Sequence, residues 1–224
     1  EPAPGLPKGK ETAGLVLGLV ERGLTDLRDV VTVVEGVPPP PGLAEVLRRM
    51  DYRISGSDLA RSEVTDRLAG LGVTLHLGHS AGHVKGADLV VVSSAIGRGN
   101  PEVRAARRSG LPTLKRGEML AEVMRLHHGV AVAGSHGKTS TTSMCGQLLA
   151  RAGLDPTVVV GGRLKMIGGT ARLGRSRYLV AEADESDGSF LDLNPVVAVV
   201  TNIDREHLDF YRDLPAIQHA FLKF

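Results

Sequence analysis

Short apolar runs alternate with amphipathic segments along the chain from residue 42 onward. The run ADLVVVS at 87–93 is almost continuously apolar, which is typical of a parallel strand buried on both faces. Residues 42–50, 62–71 and 101–109 instead carry apolar positions at helical spacing. Strands that alternate with helices in this way predict an α/β fold with a parallel sheet.

A candidate boundary at 127–129 divides the pattern into two units. The first unit is expected to contain a further helix at 117–124. Its four strands are expected at 52–55, 73–77, 87–93 and 112–114. The second unit is expected to contain one helix at 138–152. Its four strands are expected at 130–133, 158–160, 178–183 and 196–202. Gly161 and Gly162 are interpreted as a turn after the second of these strands.

Residues 1–41 fit this alternation poorly. A short helix at 13–20 and a strand at 30–34 are predicted, and four consecutive prolines follow at 38–41. Proline lacks an amide hydrogen and fixes φ, so this run is extended and belongs to neither a helix nor a central strand. We therefore treat residues 1–41 as a separate segment, for which disorder is one alternative.

Composition narrows the class of partner. Hydrophobic residues make up 42% and charged residues 23% of the 224 residues, as in ordinary soluble globular proteins. The net charge is +2, aromatic residues are 3%, and no long Lys or Arg run occurs, so a nucleic-acid partner has little support. No apolar run reaches the roughly 18–20 residues of a membrane span, and Cys145 is the single cysteine, which excludes an internal disulfide. We expect a cytoplasmic protein that binds an anionic small molecule.

A glycine-rich loop provides the strongest chemical signal. Its residues lie between an apolar strand and an amphipathic helix, which is the context that a phosphate-binding loop requires, and they are Gly134, Ser135, His136, Gly137, Lys138, Thr139 and Ser140. Glycines allow several amides to point inward, and the helix N-terminus adds positive potential. Lys138 would contact the β- and γ-phosphates of a bound nucleotide, and the Thr139 hydroxyl would help to hold Mg²⁺. The alternative is a glycine turn that begins a helix.

Two further polar segments follow buried strands. EADESD at 182–187 places four carboxylates at a strand end, and we choose Glu182 as the Mg²⁺ ligand because it lies where the strand emerges. TNIDREH at 201–207 brings His207 to the same edge of the sheet, where α/β proteins bind ligands. A solvated acidic loop and a surface histidine are the alternatives.

These segments together resemble the Mur ligase family. GSHGKTSTT, EADESDGSF and TNIDREHLDFY are similar to the motifs of its central domain, while SGSDL and NPEVRAARRSGLPTLKRGEMLAE are similar to the first domain of its L-alanine-adding member. The resemblance implies a Rossmann-like domain at 42–127 that binds a UDP-sugar, and part of a P-loop α/β domain at 128–224. It also implies that the family's C-terminal domain, which binds the amino acid, is absent from the chain.

The resemblance implies a reaction and a set of roles. ATP would phosphorylate the lactyl carboxylate of UDP-N-acetylmuramate, and L-alanine would then attack the acyl phosphate, in the synthesis of a cell-wall precursor. Lys138 and His207 would be catalytic, with Thr139 and Glu182 on one Mg²⁺ and His207 on a second. The UDP-sugar would meet the residues at the ends of two strands of the first domain, which are Ser55, Asp58, Ser93, Ser94 and Ala95.

The segment before the first helix departs from the family pattern, and two alternative functions remain. The family has a glycine-rich loop before its first helix, whose amides bind the UDP diphosphate, and residues 35–41 here supply four prolines instead. A related ligase that attaches a recycled tripeptide shares the phosphate loop but tends to carry Tyr at the position of Ser186. A chain that merely binds nucleotide, or is inactive, is the alternative from a different functional class.

Overall fold

A computed structural model describes residues 28–33, 42–93, 95–164 and 169–224. The helix predicted at 13–20, the proline run at 38–41 and Ser94 lie outside the described residues. Within these ranges, no helix combines the length and the apolar character needed to cross a membrane.

The first unit is built on a parallel sheet. In the described part of the chain its strand order is β3-β2-β1-β4-β5. The strands are β1 (Asp29–Val33), β2 (Arg53–Asp58), β3 (Thr74–Leu77), β4 (Leu89–Val92) and β5 (Thr113–Lys115). The connecting helices are α1 (Gly42–Arg49), α2 (Glu63–Gly70), α3 (Pro101–Arg108) and α4 (Arg116–Arg125), with a 3₁₀ helix at Ala81–Val84. The predicted α/β class is confirmed.

Strand β1 lies at the centre of this sheet, between β2 and β4. Val30 is in register with Ile54 on one side and with Leu89 on the other, and its side chain is buried. The backbone amides of Asp29 and of the preceding residue donate to the Asp88 carboxylate, which holds the pKa of Asp88 below its usual value. The first unit therefore begins before residue 42. Its start had been predicted at residue 42.

The second unit is a mixed sheet with strand order β10-β6-β9-β7-β8 in the described residues. Its strands are β6 (His128–Ala133), β7 (Thr157–Leu164), β8 (Gly169–Arg172), β9 (Tyr178–Glu182) and β10 (Val197–Val200). Helix α5 (Lys138–Arg151), a 3₁₀ helix at Ser189–Asp192 and helix α6 (Leu214–Lys223) complete it. Among the described strands of this sheet, every pair is parallel except β7 with β8.

The predicted turn at Gly161 and Gly162 is wrong, because both glycines lie inside β7. The Gly161 amide donates to Glu182 Oε2 at 2.6 Å, and a Cβ atom built on Gly161 would lie 3.2 Å from that carboxylate. The glycine therefore marks a close approach to a side chain of β9 rather than a chain reversal. Strand β8 and helix α6 were not predicted.

Apolar side chains from the two units merge into one core. Met119, Val123 and Met124 of α4 are fully buried and belong to the same cluster as Leu179 of β9. At the start of β6, a Cβ atom built on Gly129 would lie 2.4 Å from Met124 Cγ, so only glycine allows the helix to pack this closely. The shared core fixes the second sheet against the first unit.

Glu122 is expected to destabilise the fold when it is ionised. Its side chain is 2% exposed in α4, and its Oε1 faces Arg125 Nε at 3.4 Å without a hydrogen bond. Burial raises the pKa of Glu122 above the usual value of 4.5, and Arg125 opposes this only in part. Ionisation therefore favours the unfolded chain, so the stability of the wild type falls as pH rises through the folded-state pKa.

We expect Glu122→Gln to raise the free energy of unfolding by about 1 kcal/mol at neutral pH, because the buried charge is removed. The gain should shrink as pH falls toward 4.5. Urea unfolding at several pH values measures it, with Glu63→Gln in the exposed first turn of α2 as the control. A variant less stable than the wild type at pH 7 would contradict the argument.

Candidate active site

The loop between β6 and α5 has the backbone shape of an anion-binding loop. Gly134 has φ +131° and Gly137 has φ +80°, both in the region that favours glycine. Gly137 is the N-cap of α5, and no side chain caps the helix there. The free amides of the first turn can therefore donate hydrogen bonds to an anion, and the helix dipole favours negative charge at this point.

The segment after β10 holds this loop in place. The amide of Ser135 donates to Asn202 O at 3.1 Å, and the amide of His136 donates to Asn202 Oδ1 at 3.0 Å. Asn202 Nδ2 and Thr201 Oγ1 both donate to the carbonyl of His136, at 2.9 and 2.6 Å. Five hydrogen bonds, the last from the Asp204 amide to Ser135 Oγ at 2.8 Å, thus fix the loop from one side.

Lys138 lies at the start of α5 and turns its ammonium back over the loop. Nζ donates to Gly134 O at 2.6 Å, to Ser135 O at 3.3 Å and to Glu185 Oε1 at 2.7 Å. Its side chain is 16% exposed, and its ammonium lies against the loop that carries the free amides. The sequence predicted Lys138 for this position but did not predict its carboxylate partner.

Thr139 and Glu182, the two residues predicted to share one Mg²⁺, are in direct contact. Thr139 Oγ1 lies 3.0 Å from Glu182 Oε1 and 3.1 Å from Oε2. Glu182 is the last residue of β9, next to the strand that leads into the phosphate loop. A hydroxyl and a carboxylate side by side are hard oxygen donors, which suit Mg²⁺.

His207 lies near a different carboxylate. Its Nε2 is 3.6 Å from Glu185 Oε1, and its backbone has φ +53°, which is uncommon for a residue other than glycine. Ligand atoms of Glu185, Glu206 and His207 all lie within 4.8 Å of one another. The structure therefore brings His207 to the phosphate loop through Glu185, which the sequence had grouped with the acidic segment without giving it a role.

Asp184 has partners outside this cluster, and Tyr211 holds the backbone of Glu185. Burial opposes the ionisation of Asp184, but hydrogen bonds from Ser186 together with Arg116 and Lys138 hold its pKa below the usual value. The Tyr211 hydroxyl donates to Glu185 O at 2.7 Å, and burial with the nearby carboxylates raises the pKa of Tyr211 to about 12. Tyr211 is therefore a stable hydrogen-bond donor that fixes the backbone of Glu185.

The residues predicted for a UDP-sugar lie on β2 and after β4, the two strands that flank β1. Asp58 is the last residue of β2, whereas Ser55 lies in mid-strand, paired with Val31 and Thr74. Ser93 directly follows β4, and its hydroxyl accepts a hydrogen bond from the Ala95 amide at 3.3 Å. Asp58, Ser93 and Ala95 therefore share the carboxyl edge of the sheet, while Ser55 is set back from it.

A buried carboxylate beside this edge, that of Glu102, was not predicted from the sequence. Glu102 is fully buried at the start of α3 and accepts from Ser57 Oγ at 2.6 Å. The Nδ1 atoms of His83 and His79 lie 2.6 and 3.2 Å from its two oxygens. These contacts connect α3 to the end of β2 and to the loop after β3. The partners lie 19 to 45 residues from Glu102 in the chain, so no local pattern joins them.

Comparison with known proteins agrees with this architecture. Residues 41–128 match the model of the Mur ligase family catalytic domain, and residues 132–224 match that of the Mur ligase middle domain. The solved structure of UDP-N-acetylmuramate:L-alanyl-gamma-D-glutamyl-meso-diaminopimelate ligase from Neisseria meningitides is 31% identical, with a TM-score of 0.80. The alignment covers 88% of this chain and 67% of that one. The chain belongs to the Mur ligase family.

Particular relatives narrow the comparison within the family. The UDP-N-acetylmuramate–L-alanine ligases of Syntrophobacter fumaroxidans and Desulfosudis oleivorans are 61% and 59% identical over 82% of this chain. The chain spans about 40% of the length of these curated relatives. The crystal structure of UDP-N-acetylmuramate-alanine ligase from Thermotoga maritima is 28% identical with a TM-score of 0.76, over 88% of this chain and 46% of that one.

Proposed function

We propose that this chain supplies the ATP site and part of the UDP-sugar site of a cytoplasmic ligase that joins L-alanine to UDP-N-acetylmuramate. The observation that supports this most directly is the arrangement of Lys138, Thr139 and Glu182 around one loop. The identity of about 60% to ligases of that name favours L-alanine over a peptide as the acceptor.

The described residues suit ATP with Mg²⁺. The loop amides and Lys138 would bind the β- and γ-phosphates, and Thr139 with Glu182 would hold the cation through oxygen atoms. When bound, Mg²⁺ would neutralise phosphate charge as the γ-phosphoryl group is transferred. The Thr139–Glu182 contact of 3.0 Å supports this assignment, because it places both oxygen donors side by side.

The proposed reaction is the one that the similarity to these ligases implies. The lactyl carboxylate of UDP-N-acetylmuramate would attack the γ-phosphorus of ATP, releasing ADP and forming an acyl phosphate. The amine of L-alanine would attack the acyl carbon, and inorganic phosphate would leave as the amide forms. Lys138 would stabilise the negative charge on the transferring group, and the loop would orient it. The chain's contribution is positioning and charge neutralisation.

We expect Lys138→Ala to weaken Mg-ATP binding by about 30-fold, because a charged hydrogen bond to phosphate contributes roughly 2 kcal/mol. Isothermal titration calorimetry measures this, with the exposed Lys85→Ala as a control for loss of one positive charge. Circular dichroism checks that each variant is folded, since Glu185 loses its partner. Equal affinity in the Lys138 variant would contradict a phosphate role for this lysine.

An assay for amino-acid-dependent phosphate release tests the ligase itself. The chain is incubated with Mg-ATP and UDP-N-acetylmuramate, and L-alanine is compared with the tripeptide L-alanyl-γ-D-glutamyl-meso-diaminopimelate. Release that depends on L-alanine supports the proposal, and release that depends on the tripeptide supports the related ligase instead. Binding of Mg-ATP without any release would identify the chain as a nucleotide-binding piece that needs further parts.

A further inference from the structure

Arg116 lies beside the residues predicted for the UDP-sugar. It is the first residue of α4 and directly follows Lys115, the last residue of β5. Lys115 is in register with Val92 of β4, so Arg116 and Ser93 follow their strands side by side at the carboxyl edge of the first sheet. Neighbouring strands lie about 4.8 Å apart, so a ligand that contacts Ser93 is within reach of an arginine side chain at this point.

The Arg116 side chain extends from this edge toward the second unit. Its Nη2 lies 3.7 Å from Oδ2 of Asp184, which comes two residues after Glu182, the last residue of β9. The start of α4 packs closely against the second unit, because a Cβ atom built on Gly117 would lie 2.5 Å from Ser189 Cβ. The guanidinium therefore lies between the carboxyl edges of the two sheets.

Asp184 relates Arg116 to the loop between β6 and α5. The positive charges of Arg116 and Lys138 both favour the ionised form of Asp184, and the Ser186 amide donates to its Oδ1 at 3.0 Å. Lys138 lies against the loop, so Arg116 faces the same space from the other unit. Asp184 therefore remains a carboxylate, and its charge orients Arg116 toward that space.

The guanidinium of Arg116 keeps its donors available for a ligand. A distance of 3.7 Å is too long for a hydrogen bond, so Asp184 attracts Arg116 without occupying its N–H groups. The side chain is 36% exposed, and its planar fork of N–H groups matches the two oxygens of a carboxylate. The neighbouring Lys115 is less suited to this role, because its charge acts on Glu118 and Asp192.

We propose that Arg116 binds the lactyl carboxylate of the UDP-sugar and presents it to the phosphate loop. This assignment rests on the proposed function, in which that carboxylate attacks the γ-phosphorus of ATP. The sugar nucleotide binds at the edge that carries Ser93, and ATP binds at the loop that carries Lys138, so the two anions meet beside Arg116. The guanidinium offsets the repulsion between carboxylate and phosphates and orients the nucleophile. It also favours a sugar nucleotide with a carboxylate over one without.

The test compares two ligands on the same purified chain by isothermal titration calorimetry. UDP-N-acetylmuramate carries the lactyl carboxylate, and UDP-N-acetylglucosamine lacks the lactyl group. We expect Arg116→Gln to weaken binding of the first ligand at least about 10-fold and that of the second less than about 2-fold, because only the first has the carboxylate. Arg116→Lys should recover part of the loss, since it restores the charge but not the paired N–H groups. Lys115→Gln is the matched control, because it removes the neighbouring positive charge.

Each outcome decides the proposal. An equal effect of Arg116→Gln on both sugar nucleotides, or an effect on neither, overturns it while the UDP-sugar site stands. A loss as large in Lys115→Gln also overturns it, because the general positive charge of this edge would then account for the result. If the wild type binds neither sugar nucleotide, the UDP-sugar part of the proposed function fails, and the assignment of Arg116 fails with it. Circular dichroism checks that each variant is folded.

Discussion

Gly134→Ala is expected to abolish measurable Mg-ATP binding, with at least a 100-fold loss of affinity. Gly134 has φ +131°, which side-chain-bearing residues rarely adopt. A Cβ atom there would lie 2.1 Å from Thr201 Oγ1 and 2.9 Å from the carbonyl oxygen of Asn202. Neither the strand-anchored threonine nor the backbone can yield without moving the segment that holds the loop. The loop would then lose the geometry that directs its amides toward one point.

A matched glycine separates the clash from the backbone strain. Gly153 has φ +79° at the far end of α5, and a Cβ atom built there meets nothing within 4 Å. Gly153→Ala should cost about 1 kcal/mol of stability and leave ATP binding unchanged, because the substitution strains φ alone. Calorimetry on both variants measures affinity, and thermal unfolding measures stability. Wild-type affinity in Gly134→Ala would show that nucleotide binds elsewhere.

Phe190→Ala is expected to lower the free energy of unfolding by about 3–5 kcal/mol. Phe190 is 1% exposed and lies in the 3₁₀ helix that follows the acidic segment. Its ring centroid lies 5.2 Å from that of Phe221 and 5.1 Å from that of Phe224, both in or next to α6. Truncation would leave a cavity among three aromatic rings and loosen α6 from the sheet.

The neighbouring Leu191 provides the control, because its side chain is 40% exposed. Leu191→Ala should change stability by less than about 1 kcal/mol, since little apolar area is removed from the core. Urea unfolding followed by circular dichroism measures both variants under the same conditions. A similar loss in the two variants would mean that the aromatic cluster contributes little and that the 3₁₀ helix itself matters more.

The parts of the fold that the sequence predicted are those with local signals. Strands such as Leu89–Val92 and Tyr178–Glu182 are short apolar runs, and their placement needs no knowledge of the rest of the chain. The glycine-rich loop between β6 and α5 is likewise contiguous, so its glycines, Lys138 and Thr139 could be proposed together as a phosphate site. Thr139 and Glu182 lie 43 residues apart and are in contact. The sequence assigned both to one Mg²⁺, because Glu182 was expected at the end of a strand that neighbours the one before the loop.

Strand β8 and the role of Glu185 were missed because they depend on contacts across the chain. Strand β8, with the sequence GTAR, has no apolar pattern, and its partner β7 contains the two glycines that favoured a turn. Helix α6 did have a local signal, because Asp213 caps it by accepting from the Ala216 amide at 2.9 Å and Pro215 lies in its first turn. Glu185 could not be singled out, because its partners Lys138 and His207 lie far away in the sequence.

The placement of β10 has a consequence for the order in which the second sheet loses structure. This strand has β6 on one side and, among the described residues, no strand on the other, and Val197 and Val200 remain about half exposed. Edge strands open with less free energy than central ones. Since Thr201 and Asn202 follow directly after β10, fraying of this strand would release the phosphate loop while β9 and its acidic residues remain folded. The order of the loop is thus tied to an edge strand of the described sheet, and a nucleotide that orders the loop should also slow amide exchange along β10.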